Sequence, residues 1–256
     1  MSRLSLLPLA LAVLGALAIG AAVSFAGPPV LLRTSFPAGG LVTNEFAFWH
    51  PRDARARTSP VWRLTSGSLF ARRGAGWSGR PDDCAPDPLS RRCTNSAIFR
   101  LTTRRADLRS VRVSLRLRLL ALAQTPSTPA VDWDGVHVFL RYEDEHSLYY
   151  VSAARRDGTV AIKKKCRGGP SNGGTYSTLA QRGGFPARLG EWTNVAAEVA
   201  DLAGGGVRIR LLLSGKPVLV AYDRGVGCAP LAHGRVGIRG DNAEFLFRDF
   251  TVRGLP

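Results

Sequence analysis

VRVSLRLRLLAL, residues 111–122, decides how this chain folds. Val111, Val113, Leu115, Leu117 and Leu119 fall on one side of an extended chain. Arg112, Ser114, Arg116 and Arg118 fall on the other. Side chains alternate along a strand, so this text describes one face in a core and one in water. The same period of two continues in both directions. Upstream, SLFARRG (68–74) runs into a Gly-rich turn around Trp77, and SAIFRLTT (96–103) alternates. Downstream, VHVFLRY (136–142), SLYYVSAA (147–154) and TVAIKKK (159–165) are separated by EDEH and by RRDG (155–158). They read as a three-stranded meander. CRGGPSNGGTYS (166–177) then breaks the pattern and is expected to be a long flexible loop. WTNVAAEVA (192–200), VRIRLLLSG (207–215), KPVLVAYD (216–223), GRVGIRG (234–240) and AEFLFRDFTV (243–252) complete the series. Helical periodicity appears nowhere after the N-terminal segment. Roughly ten to thirteen short strands without a repeat predict an all-β fold, an antiparallel two-sheet sandwich.

Residues 1–26, MSRLSLLPLALAVLGALAIGAAVSFA, have the three parts of an export signal. Arg3 supplies the positive start, Leu4 to Val23 is uncharged and largely apolar, and Ser24 and Ala26 place small residues before a cut at Gly27. The competing reading is an uncleaved membrane anchor, because the apolar run is long enough to span. The expected location is therefore secreted or cell surface. Residues 27–40 read as a short unstructured leader and 41–256 as one domain.

The chain has 256 residues and a net charge of +16. Lysine occurs only at Lys163, Lys164, Lys165 and Lys216, so nearly all the basic charge is arginine. With Ala, Gly and Pro also abundant, this bias fits a GC-rich codon background. The same charge would also favour an anionic partner. No nucleic-acid recognition module is present, and export argues against that partner.

Four cysteines in an exported chain predict two disulfides among Cys84, Cys93, Cys166 and Cys228. Three pairings satisfy the count. Cys84 with Cys93 would close a small loop, and Cys166 with Cys228 would then tie two distant ones. With no CxxC and no nearby His pair, zinc is not expected.

The order of segments carries a resemblance. GSLFARRGAGWSG (67–79) precedes NSAIFRL (95–101), then WDGVHVFLRYEDEHSLYYVSAARRDGTVAIKKK (133–165), then EWTNVAAEV (191–199). A strand pair with a small LSGKPV turn (213–218) and GRVGIRGDNAEFLFRDFTV (234–252) follow. Over residues 41–252 this resembles the concanavalin A-like lectin and glucanase superfamily, in its laminin-G-like bacterial branch. The resemblance implies a jelly-roll sandwich. It does not choose among carbohydrate-binding modules, glucanases, lyases and adhesion modules. Jelly rolls of this kind often hold a structural Ca²⁺ near the paired terminal strands. Asn44, Glu45, Asp241, Asn242 and Asp249 offer oxygen ligands for one here.

Enzyme signatures are weak. The glucanase spacing E-x-D-x-x-E is missing. Glu143, Asp144 and Glu145 are consecutive, point to opposite faces and read as a solvated turn. GxSxG and HExxH are also missing. A lyase would need a His or Tyr base and a cation for a uronate. His137, Arg141, Tyr149, Tyr150, Lys163 and Lys165 all fall within the meander. If the outward faces of its strands coincide, they form a basic sheet surface carrying aromatic rings, which suits sugars. The expectation is a non-catalytic, monomeric module that binds a polysaccharide or glycoconjugate, anionic in one version. Its candidate residues are Trp77, Trp133, His137, Arg141, Tyr149, Lys163, Lys165 and Arg239. The alternatives are a hydrolase or lyase on an acidic polysaccharide and a structural surface module.

Overall fold

The structure is a computed structural model and describes residues 27–256. The signal segment 1–26 lies outside the described residues. In chain order the strands are β1 (Val30–Arg33), β2 (Gly40–Asn44), β3 (Trp62–Ser66), β4 (Ser68–Arg72), β5 (Ala75–Trp77), β6 (Ile98–Thr103) and β7 (Val111–Leu122). The meander is β8 (Gly135–Asp144), β9 (Ser147–Arg155) and β10 (Val160–Arg167), followed by β11 (Gly174–Arg182). β12 (Thr193–Asp201), β13 (Val207–Leu213), β14 (Lys216–Asp223), β15 (Arg235–Asp241) and β16 (Ala243–Gly254) close the series. One helical turn, α1 (Glu45–Trp49), follows β2.

The strands form two antiparallel sheets, so the all-β sandwich is the observed fold. One sheet has nine strands, in the order β14-β13-β12-β7-β16-β5-β4-β2 with β1 on β16. The other has seven, in the order β11-β10-β9-β8-β15-β6-β3. Val111, Val113, Leu115, Leu117 and Leu119 of β7 are buried between them, as their alternation requires. From the seven-stranded sheet Val136, Val138, Leu140, Val151 and Ile162 meet this layer. Phenylalanines fill the centre. Phe99 meets Phe245 edge-on at 5.3 Å, and Trp62 meets Phe250 at 5.0 Å. Such edge contacts are each worth about 0.5–1.5 kcal/mol beyond their buried area.

The structure corrects three local expectations. The stretch 27–40 is not an unstructured leader: β1 pairs with β16, and Phe36 is buried edge-on against Phe247. Its apolar Val-Leu-Leu core finds a free strand edge. A helical turn exists at Glu45–Trp49, too short to show a period, with the Asn44 side chain accepting from the Ala47 N–H at 3.1 Å. The supposed flexible loop is largely ordered: after a turn through Asn172 and Gly173, residues 174–182 pair with β10. No helix among the described residues is long and apolar enough to cross a membrane. Both disulfides are present, Cys84–Cys93 and Cys166–Cys228.

Candidate functional site

The outer face of the seven-stranded sheet carries the site, and strand register assembles it. Arg239 of β15 lies between Arg100 of β6 and His137 of β8. Phe139 of β8 faces Tyr150 of β9, Tyr150 faces Lys163 of β10, and Lys165 of β10 faces Tyr176 of β11. Phe139, Tyr142, Leu148 and Tyr150 form a second apolar cluster, with Tyr176 packed against it. Leu148, Tyr150 and Tyr176 of this cluster, with Ile98, form the apolar floor of a cleft of about 640 Å³, and Phe139 and Tyr142 pack behind them. Trp133, Glu145, Ser171 and Asn172 lie on its walls. Four cations (Arg100, Lys163, Lys165 and Arg239) face two carboxylates (Glu145 and Asp241).

The carboxylate of Asp241 is already committed. Arg239 Nε and Nη2 donate to it at 2.7–2.9 Å, and His137 Nε2 donates at 3.2 Å. Burial alone would raise its pKa, but the Arg239 charge and these hydrogen bonds hold it well below the usual carboxylate range. Burial pushes His137 down, so its imidazole is neutral. A carboxylate only accepts, so Nε2 carries the proton and Nδ1 accepts from Ser152 Oγ at 2.9 Å. Tyr150 stacks edge-on against both His137 and Tyr176, at 5.1 and 5.6 Å. Burial raises its phenol pKa.

Lys163 is half-buried and has no such lock among the described residues, whereas Lys165 is buried and bonded to backbone. Lys165 Nζ donates to the Glu145 carbonyl at 2.7 Å and to the Asn172 carbonyl at 3.3 Å, and lies 5.1 Å from the Tyr176 ring centre. Burial, and then the charges of Arg239 and Arg100, pull its pKa down. Lys163 is pulled down by burial and by Arg155. Gly174 leaves room for the buried Lys165 side chain, because a Cβ there would lie 2.4 Å from Lys165 Cε.

Of the eight candidate binding residues, Trp133, Lys163, Lys165 and Arg239 line the cleft. Trp133 is 51% exposed. His137 lies beneath the cleft, and its ring is the support for Asp241. Arg141 departs from the expectation. A bulge between Leu140 and Asp144 and a φ of 45° turn it inward, although Phe139 two residues earlier faces out. Its guanidinium donates to the carbonyls of Arg109 and Leu231 and to Asp201. Tyr149 is also inside, donating to Asp223 at 2.5 Å. Trp77 belongs to the other sheet, where Nε1 donates to Glu244 at 3.0 Å.

The calcium ligand set does not assemble. Asn44 caps α1, and its Nδ2 reaches Ser90 and the carbonyls of Asp87 and Pro88. Glu45 accepts from Gly67 N and from Asn95. Asn242 donates to Asp134, and Asp249 sits exposed beside Arg248. No group of three His, Cys, Asp or Glu side chains that could hold a metal ion exists among the described residues.

Sequence reasoning passed over Tyr176, Arg100 and Glu145 as site residues. Tyr176 stood in the segment read as a loop, although Thr-Tyr-Ser-Thr-Leu is strand text. Glu145 reads from the sequence as part of a solvated turn, yet its side chain faces Arg100 at 3.8 Å. Arg100 required the register of β6 against β15.

No family model matches the chain, and no curated protein matches it. Solved structures do. A chain from work on endo-acting O-glycanases of the human gut microbiota superposes with a TM-score of 0.53 and 9% identity. The match covers 89% of this chain and 100% of that one. A Bacillus subtilis protein of galectin-like fold gives 0.49 at 13% identity, covering 75% and 88%. Alginate lyase Aly36B gives 0.49 at 8%, covering 88% and 96%. At 9% identity the 0.53 superposition shows a shared fold and nothing finer.

Proposed function

We propose that this is an exported, non-catalytic module that binds an anionic polysaccharide or glycoconjugate in the cleft over β6, β15, β8, β9, β10 and β11. The observation that carries the reading is the cleft's composition. An apolar aromatic floor is ringed by four cations against two carboxylates. Arg239 is spent on Asp241, which leaves Lys163 without a carboxylate partner among the described residues and the cleft with a net positive charge. Sugars offer apolar ring faces to aromatic side chains, and uronate carboxylates suit lysine and arginine donors. A hydrolase reading has less support. It needs a protonated general acid, whereas Asp241 is held ionised with its oxygens occupied.

Titration calorimetry against polyuronate oligosaccharides and neutral glucans tests this. Lys163→Gln with Lys165→Gln is expected to weaken uronate binding about tenfold or more, since hydrogen bonds to charged groups are the strong ones. Trp133→Ala is expected to weaken it about fivefold through loss of a stacking surface. Equal binding of uronates and neutral glucans, or no binding of either, would overturn the reading.

A second reading, a lyase, has one specific observation in its favour. Lys165, whose pKa burial lowers, lies 5.1 Å from the Tyr176 ring centre and lines the cleft together with Arg239. Rising ultraviolet absorbance from an unsaturated uronate, abolished by Lys165→Gln, would establish that activity in place of simple binding.

A further inference from the structure

The arginine side of VRVSLRLRLLAL lies on the opposite surface of the sandwich, away from the cleft. On the outer face of the nine-stranded sheet Arg116 of β7 sits opposite Arg248 of β16, and Arg118 sits opposite Leu246. The turn from β4 to β5 brings Arg72 and Arg73 to the same place. Arg72, Arg73, Arg118 and Arg248 converge with Trp192 and Leu246 around a depression of about 350 Å³. No carboxylate lines it among the described residues.

This concentration of charge is not simply the arginine-rich composition. Elsewhere on the same face the sheet compensates its arginines: Arg112 and Arg210 both bond to Glu198, at 2.9 and 2.7 Å. In the depression compensation is weak. The Asp249 carboxylate stands 3.8 Å from Arg248 Nε, beyond hydrogen-bond reach, and points largely into solvent. The Nε groups of Arg118 and Arg248 are buried and have no hydrogen-bond partner in the protein. Like charges on neighbouring strands repel, and buried donors are costly to leave unmade. The arginines are nevertheless held in place. Arg248 and Arg116 lie over the Trp192 ring at 4.6 and 5.6 Å, and Arg72 lies over Trp77 at 4.9 Å.

We infer that this depression is a second binding site, for a sulfate or phosphate ester group carried on a polysaccharide. A tetrahedral oxyanion presents three strong acceptors and matches several guanidinium forks at once, which a single carboxylate does not. The occupant is not a stacked base, because guanidinium groups already cover the indole faces. Nor is it a membrane surface, which would need protruding apolar side chains; Trp192 is half-buried. The site lies on the other sheet from the cleft, so it stands or falls independently of the function proposed above.

The test is binding of the chain to heparin, to desulfated heparin that keeps its uronates, and to inorganic sulfate and phosphate. Competition by duplex DNA and anionic vesicles completes it. Arg118→Gln with Arg248→Gln is expected to weaken heparin binding about tenfold or more, with Lys replacements at both positions restoring less than half. Arg72→Gln with Arg73→Gln, on an exposed turn, is a second variant that must also lose affinity. Arg91→Gln with Arg92→Gln removes the same charge elsewhere and is expected to stay within about twofold of the parent. The cleft variant Lys163→Gln with Lys165→Gln is expected to lose uronate binding but to keep the sulfate-dependent part of heparin affinity, read as the difference between heparin and its desulfated form. Unchanged binding in the Arg118/Arg248 variant would overturn the inference. So would equal binding of desulfated heparin, or DNA or vesicles outcompeting heparin.

Discussion

Replacing Asp223 with Asn tests how the cleft is held in place. Lys163 and Lys165 point outward, so Lys164 between them points into the sandwich, where it is fully buried. Its Nζ meets Asp223 Oδ2 at 2.8 Å and also donates to the Cys228 carbonyl. Asp223, fully buried, further accepts from Tyr149 OH at 2.5 Å and from Gly225 and Val226 N–H at 2.9 Å. This cluster ties β10 of one sheet to β14 of the other, beside the Cys166–Cys228 bridge. An Asn side chain can still accept the two amides through one oxygen, but it turns an NH₂ toward the ammonium. Removing one partner of a buried ion pair costs about 3–5 kcal/mol, because the other charge stays buried. In a domain of this size that corresponds to a melting temperature roughly 6–20 °C lower. Denaturant unfolding with disulfides intact should show a lower midpoint at unchanged slope. Adding Lys164→Met removes the stranded charge and is expected to recover most of the loss, a coupling of about 2–3 kcal/mol. Burial alone would raise the Asp223 pKa, but Lys164 and Tyr149 outweigh it and keep it low. Its contribution is therefore present above the ordinary carboxylate range and lost as pH falls through the folded pKa, so the parent and the Asn variant should converge in acid. A midpoint within about 0.5 kcal/mol of the parent, or a double variant less stable than Asp223→Asn alone, would refute the reasoning.

Two further stability tests use the same assay. The Cys166–Cys228 bridge closes a separation of 62 residues and Cys84–Cys93 one of 9. Chain entropy therefore predicts losses of about 4 and about 3 kcal/mol for their removal as Ser pairs; a larger loss at the short loop would contradict it. Burial keeps His137 neutral with its folded pKa below the ordinary value near 6.5, so the unfolded chain takes up the proton first on acidification. Stability is expected to fall below about pH 6.5 by up to roughly 1.4 kcal/mol per unit, and His137→Gln to flatten that slope. Parallel pH profiles for the two proteins would dismiss this assignment.

The fold was legible because burial in a sandwich repeats every second residue, and β7 displays that repeat without interruption. The site was legible where one strand's own alternation settled the face, as with Lys163 and Lys165, and at Trp133, an aromatic beside a Gly-containing turn. Leu-Tyr-Tyr-Val in β9 is apolar at every position, so its parity cannot be read from the text. The cross-strand partner decides it: Tyr150 faces Phe139 and Lys163 on the outside, while Tyr149 reaches Asp223 within. Arg141 fails for a related reason. One bulge changes the parity of everything after it, and nothing in Phe-Leu-Arg-Tyr marks where the bulge falls. The three consecutive lysines look like one solvated run, yet the middle one needs a buried carboxylate that the chain supplies only at the end of β14. Charge in this protein is therefore specified by pairs that are distant in sequence. Where a pair is completed, as at Lys164 with Asp223 or Arg141 with Asp201, the cation belongs to the scaffold. Where it is left open, as at Lys163 in the cleft and at Arg118 on the far sheet, the cation is available to a ligand, and the proposals above rest on that distinction.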